Sequence, residues 1–298
     1  MQFITTPEDR FENLQDFPFA PKYHDVEGMI MHYVDEGEGP LVLMLHGEPS
    51  WSYLYRYMIK GLVAKGYRAV APDLIGFGKS DKPIDAESYT YENHEKWLTS
   101  FLESLDLTNI TLFCQDWGGL LGLRLVAYYP DRFDRVCASN TFLPTGNEPF
   151  PDAFMQWREF AEKSPDFIIG KVLQKGTFSE LSEEVIRAYN APFPSEAYKM
   201  GSRMFPKLVP TDPQHPDGIE NQHVWQKLAT YDKPFMTAFG ADDPITRGAR
   251  KIFPQIIPGC AGQTHVLLEN AGHFIQEDQP ERLVELLDEF IKGVLPQF

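Results

Sequence analysis

Residues 110–120 read Ile110-Thr111-Leu112-Phe113-Cys114-Gln115-Asp116-Trp117-Gly118-Gly119-Leu120. An apolar run ends in a polar pair and two glycines, and a second apolar run, Leu120 to Tyr129, follows at once. That is the pattern of a strand, a tight turn and a helix. Within it, Cys114-Gln115-Asp116-Trp117-Gly118 fits the small-x-nucleophile-x-small spacing of a nucleophile elbow. The nucleophile position holds a carboxylate in place of a serine. An activated serine attacks an acyl carbon. A carboxylate is a weak, ionised nucleophile suited to displacing a leaving group from saturated carbon, which gives an ester that water must then cleave.

Outward from the elbow, short apolar runs alternate with helical patterns. This predicts an α/β fold, a mostly parallel central sheet with helices on both faces. Strands are expected at Met29–Val34, Leu41–Leu45, Arg68–Pro72, Ile110–Cys114, Arg135–Ser139, Pro234–Phe239 and His265–Glu269. Helices are expected at Tyr91–Leu105 and Glu281–Val294, the latter with Leu283, Leu286, Leu287 and Phe290 on one face. The alternation stops at residue 143 and resumes after 213. Residues 143–213 are punctuated by prolines and rich in Phe, Met and Tyr, and read as a helical cap inserted into a core formed by 1–142 and 214–298.

The chain has 298 residues and a formal charge of −16, which argues against nucleic acid and anionic membranes as partners. Its three cysteines, Cys114, Cys137 and Cys260, have no metal-binding spacing and read as reduced, buried thiols. No signal peptide is apparent at the N-terminus, and no apolar run is long enough to span a membrane. A cytoplasmic monomer is expected.

The residues with chemistry fall at strand ends, where open α/β sheets bind ligands. Asp116 is at the elbow, Asp242-Asp243 follow the strand ending at Phe239, and His273 follows the strand ending at Glu269. Nucleophile, acid, base is the chain order of a hydrolase triad. Either aspartate could orient His273. Asp243 is favoured, with Asp242 as a turn residue. The turn His46-Gly47-Glu48-Pro49 can offer the Glu48 amide to an oxyanion, paired with the Trp117 amide. The leaving group decides the reaction. An alkoxide needs a proton donor, whereas a halide needs only weak donors in a dry site. An indole N–H suits a halide, and Trp117 and Trp157 can supply two. Glu277 and Asp278 read as N-terminal caps of the last helix.

The segments His46–Arg56 (HGEPSWSYLYR), Gln115–Gly119 (QDWGG), Phe154–Trp157 (FMQW), Ala191–Pro194 (APFP) and Gly272–Asp278 (GHFIQED) together resemble the haloalkane dehalogenases, subfamily I, of the α/β-hydrolase superfamily. The resemblance runs over essentially the whole chain. It implies hydrolytic dehalogenation of a small halogenated aliphatic substrate by water, giving a primary alcohol, a halide and a proton, with no cofactor and no metal. Asp116 would be nucleophile, His273 base, Asp243 acid, and Trp117 and Trp157 the halide ligands. The resemblance also implies a pocket lined by Phe154, Leu120, Phe205, Pro206, Val209 and Ile245. Asn140, rather than an acid, after the strand Arg135–Ser139, and Glu48 in the turn, point to subfamily I. Leu120 stands where the family's best-known member carries an aromatic residue, which affects substrate range. Two other readings are an epoxide hydrolase using Tyr189 and Tyr198 as proton donors, and a non-catalytic binding protein of the same fold.

Overall fold

A computed structural model of the protein describes residues 1–293. Among the described residues ten strands are formed: β1 (Phe3–Ile4), β2 (Lys22–Val26), β3 (Met29–Glu36), β4 (Leu41–Leu45), β5 (Arg68–Pro72), β6 (Lys82–Pro83), β7 (Ile110–Gln115), β8 (Phe133–Ser139), β9 (Phe235–Gly240) and β10 (His265–Leu268). β1 and β6 pair with each other. The other eight form one sheet in the order β10-β9-β8-β7-β4-β5-β3-β2. β3 runs antiparallel to both β5 and β2, and the remaining pairings are parallel.

β4 and β7 lie at the centre, and every residue of each is buried. Their unbroken apolar runs are what a strand covered on both faces requires. β2, by contrast, is an edge strand with exposed polar residues. It pairs with β3 through the turn at Glu27-Gly28, where both residues have positive φ.

The helices are α1 (Arg56–Ala64), α2 (Tyr91–Ser104), α3 (Trp117–Tyr128), α4 (Asp152–Lys163), α5 (Ile169–Gly176), α6 (Glu183–Asn190), α7 (Met200–Leu208), α8 (Pro216–Leu228), α9 (Phe253–Ile256), α10 (Ile275–Asp278) and α11 (Pro280–Lys292). α1 packs on α11, while α2 and α8 pack on α3. Thr90 caps α2 by accepting from the Asn93 N–H at 3.1 Å. α11 buries Leu283, Leu286, Leu287 and Phe290 and ends at Gly293 in the left-handed conformation. Val294, expected as the last helical residue, lies outside the described residues. Between β8 and β9 the chain forms α4 to α8 and no strand. Here α4 packs on α7, and α5 on α6. Among the described residues no helix is long and apolar enough to cross a membrane.

Glu277 and Asp278 do not cap α11, contrary to the sequence reading. The N-cap is Gln279, and the acid in the first turn is Glu281. Both carboxylates face away from the helix, toward α1 and toward the segment after α5.

Candidate active site

The carboxyl ends of β4, β7, β8, β9 and β10 converge on one cavity of about 1120 Å³. Asp116 follows β7 at φ 50°, ψ −126°, a region that costs a residue other than glycine energy and recurs at functional sites. The turn is possible because its neighbours lack side chains. A Cβ on Gly118 would sit 2.0 Å from the Leu45 carbonyl oxygen, and one on Gly47 would sit 2.2 Å from Asp116 Oδ1. The carboxylate therefore rests directly against the turn after β4. There the Glu48 N–H donates to Asp116 Oδ1 at 2.9 Å. Trp117 is the first residue of α3, so its N–H is one of the donors a helix leaves uncommitted at its start.

His273 Nε2 lies 3.4 Å from Asp116 Oδ2, and its Nδ1 lies 3.1 Å from Asp243 Oδ2. Asp243 is completely buried. Its carboxylate also accepts from the Ile245 N–H at 2.8 Å and from the Thr246 hydroxyl. Burial opposes charge on Asp243, but His273 and these donors hold its pKa below the ordinary value. Asp242 points elsewhere. It accepts from the Ala271 N–H at 3.3 Å and lines the outer part of the cavity. Burial also opposes charge on His273. The carboxylates of Asp243 and Asp116 outweigh it and lift the pKa from 6.5 to about 10.

A histidine whose pKa is raised in the fold contributes stability that is complete below its unfolded value and lost as pH rises through the folded one. Wild-type Tm is therefore expected to fall between pH 6.5 and about 10 by more than that of His273→Phe. Parallel slopes in a thermal melt series would show that the two carboxylates do not hold the proton.

Trp117 is 2% exposed and lines the cavity. Its ring is braced by Tyr91 and Phe205, with centroids 4.7 and 4.5 Å away. Among the described residues its indole N–H has no protein acceptor. Trp157 also lines the cavity, but its N–H is committed to Glu48 Oε1 at 2.7 Å. The other Glu48 oxygen is buried without a partner. Burial, with the Asp116 charge nearby, pushes the Glu48 carboxyl well above its ordinary pKa.

Five of the six residues expected to line the pocket do so: Phe154, Leu120, Pro206, Val209 and Ile245. Phe205 does not. It is fully buried behind Trp117, packed against Phe77 and His94, and supports the indole from the far side. Tyr189 and Tyr198 do not line the cavity either. Tyr189 is buried with its hydroxyl on Glu277.

Two polar residues hold the histidine loop in a way the sequence did not indicate, one of them, Asn140, read there only as a mark of subfamily I. Asn140 is buried at φ 38° after β8. It donates to the carbonyls of Gly272 at 2.7 Å and His273 at 2.9 Å, and accepts from the Gly240 N–H at 2.8 Å. Gln115 Nε2 donates to the His273 carbonyl at 3.2 Å. Their only signal in the sequence is a polar amide at the end of a buried strand. All three cysteines are free and buried. Among the described residues no cluster of His, Cys, Asp or Glu could hold a metal ion.

An aspartate elbow under a doubly wound sheet, with acid and histidine after later strands, defines a hydrolase of the α/β class. The family model of the alpha/beta hydrolase fold matches residues 40–280. The chain is 51% identical over 298 residues, 98% of each chain, to the haloalkane dehalogenase of Psychrobacter cryohalolentis. It is 48% identical to that of Mycolicibacterium paratuberculosis, over 96% of this chain and 97% of the relative. Among solved structures, the tetrameric haloalkane dehalogenase from Paraglaciecola agarilytica NO2 superposes with a TM-score of 0.90 at 35% identity, over 98% of this chain and 99% of that one. The chain belongs to the haloalkane dehalogenases. A halogenated substrate and water follow from that membership.

Proposed function

We propose that the protein hydrolyses haloalkanes to a primary alcohol, halide and proton through a covalent alkyl ester on Asp116. One observation carries this reading. The Asp116 carboxylate is held between the Glu48 N–H and His273 at the floor of a largely apolar cavity that also presents two indoles. Asp116 attacks the carbon bearing the halogen, the C–O bond forms as the carbon–halogen bond breaks, and the halide leaves toward Trp117 and Trp157. Water then attacks the carboxyl carbon of the ester. His273 takes its proton, and Asp243 fixes the imidazole tautomer and stabilises its charge. The amides of Glu48 and Trp117 stabilise the oxyanion. The alcohol departs.

The proton inventory supports this order. Before reaction, two carboxylates hold a proton on His273. Esterification removes the charge of Asp116, so one of the two carboxylates holding that proton is lost; the proton passes to solvent, and the neutral imidazole, still oriented by Asp243, then takes a proton from water. Residues 143–213 serve as the cap over the cavity in this reading, and Glu48 and Asn140 support subfamily I. A cytoplasmic monomer is the state we propose, and light scattering of the purified protein tests the monomer against a tetramer.

Halide release from a panel of chloro-, bromo- and iodoalkanes tests the activity, and no release from any member would overturn it. The epoxide reading needs a proton donor in the cavity, and neither Tyr189 nor Tyr198 is there. The double variant Tyr189→Phe, Tyr198→Phe is therefore expected to keep its halide release, while styrene oxide yields no diol with either protein. Diol formation that disappears in the double variant would favour the epoxide reading.

A further inference from the structure

We infer that Asp278 is a positioning residue that ties the cavity rim to the loop bearing His273, so that ester hydrolysis depends on it while ester formation does not. This rests on the proposed alkyl-ester route. The Asp278 carboxylate accepts from the Ser179 N–H at 2.8 Å, the Phe178 N–H at 2.9 Å and the Gly272 N–H at 2.8 Å. The Phe274 N–H donates to the Gly176 carbonyl at 3.1 Å. The residue before His273 is thus joined to Phe178 and Ser179 through Asp278, and the residue after it is bonded directly to Gly176. Hydrogen bonds from N–H groups to an ionised carboxylate are among the stronger ones in a protein.

The packing leaves little slack. A Cβ on Gly272 would come 2.4 Å from the Gly176 carbonyl oxygen, and one on Gly176 would come 2.6 Å from the Phe274 ring. On its other side the same loop is held to the sheet by Asn140 and Gln115. The neighbouring Glu277 makes a parallel connection, pairing with Arg56 at 2.8 Å and with the Tyr189 hydroxyl of α6. Helix α10 is therefore a bracket between the core and the inserted helices. Gly176, Thr177 and Phe178 line the cavity, and Phe178 is 56% exposed at its edge. One short segment thus borders the substrate space and also holds the base.

The step selectivity follows from who touches Asp116. Attack on the haloalkane uses a carboxylate fixed by the elbow and by the Glu48 N–H at 2.9 Å, neither of which involves Asp278, and its contact with His273, at 3.4 Å, is the longest of its holds. Hydrolysis needs His273 Nε2 aligned with a water at the ester. Misplacement of about 1 Å at a reacting group can cost about 10²-fold.

Rapid-quench kinetics with a bromoalkane, with intact-protein mass of the quenched enzyme, reads both steps. Asp278→Ala is expected to keep the rate of the first bromide release within about twofold. Its steady-state turnover should fall by about tenfold to 10²-fold, and ester on Asp116 should accumulate. Asp278→Asn, which keeps one acceptor oxygen, should lie between, and it serves if Asp278→Ala does not fold. First and later turnovers falling in proportion, or no ester above the wild-type level in Asp278→Asn, would overturn the inference. If His273→Phe also forms no ester, the alkyl-ester route itself fails. If His273→Phe forms ester and these variants do not, only the role of Asp278 fails.

Discussion

His273→Phe is expected to release a single equivalent of bromide from a bromoalkane and then stall, with the peptide containing Asp116 heavier by the alkyl group. The expectation comes from the separate supports of the two groups. Asp116 is aimed by its elbow backbone and by the Glu48 N–H at 2.9 Å, both independent of the histidine. Phenylalanine keeps a ring in the buried site, and Asp243 retains its bonds from Ile245 and Thr246. What disappears is the only imidazole within 3.4 Å of the Asp116 carboxylate among the described residues, and with it the proton acceptor for water. Removal of a general base typically costs about 10²–10⁴-fold, so turnover should fall by at least that while the first bromide is still released. Continued turnover near the wild-type rate would show that another group activates the water. No adduct despite a folded protein and an active halide donor would remove Asp116 as nucleophile.

The sequence made the centre of this fold readable because parallel strands covered on both faces must be apolar throughout. Leu41–Leu45 and Arg68–Pro72 have the bounds expected, and the strand at Ile110 runs one residue further, to Gln115. Lys22–Val26 escaped because an exposed edge strand carries polar residues and leaves no hydrophobic signature. At the site, turn chemistry at strand ends pointed to Asp116, Asp243 and His273 one at a time. Contacts between distant parts of the chain were not readable. Trp157 and Glu48 each stood out, yet nothing in a pattern of residues joins partners 109 positions apart. The apolar character of Phe205 was legible, but the side of Trp117 on which it packs was not. Asp278 looks like a helix cap because it precedes a helix. Its partners Phe178 and Ser179 lie about a hundred residues earlier.

Trp117→Phe is expected to lower kcat/KM for a bromoalkane by about 10²–10³-fold, the usual cost of removing one donor from a developing anion. Trp157→Phe should cost less. The asymmetry lies in what each indole gives up. The Trp117 N–H has no protein acceptor among the described residues and is held in place by Tyr91 and Phe205, so a halide gains its full bond. The Trp157 N–H must leave Glu48 Oε1, 2.7 Å away, before it can serve a halide. Part of its gain is offset by that lost bond. Glu48 sets the terms of the exchange. Burial and the Asp116 charge favour its neutral carboxyl, which holds the indole less strongly and does not repel an anion. As pH rises and Glu48 ionises, it grips Trp157 harder and opposes the halide, so chloride affinity, read by quenching of indole fluorescence, should fall with pH. His273 and Asp116 share the cavity, and loss of the His273 proton toward pH 10 also weakens anion binding. Glu48→Gln separates the contributions. It keeps an acceptor for Trp157 but cannot ionise, so it should make the decline shallower and leave the part near pH 10 that His273 contributes. An unchanged profile in Glu48→Gln, or a larger loss of kcat/KM in Trp157→Phe than in Trp117→Phe, would show that the bond between Trp157 and Glu48 does not compete with the halide.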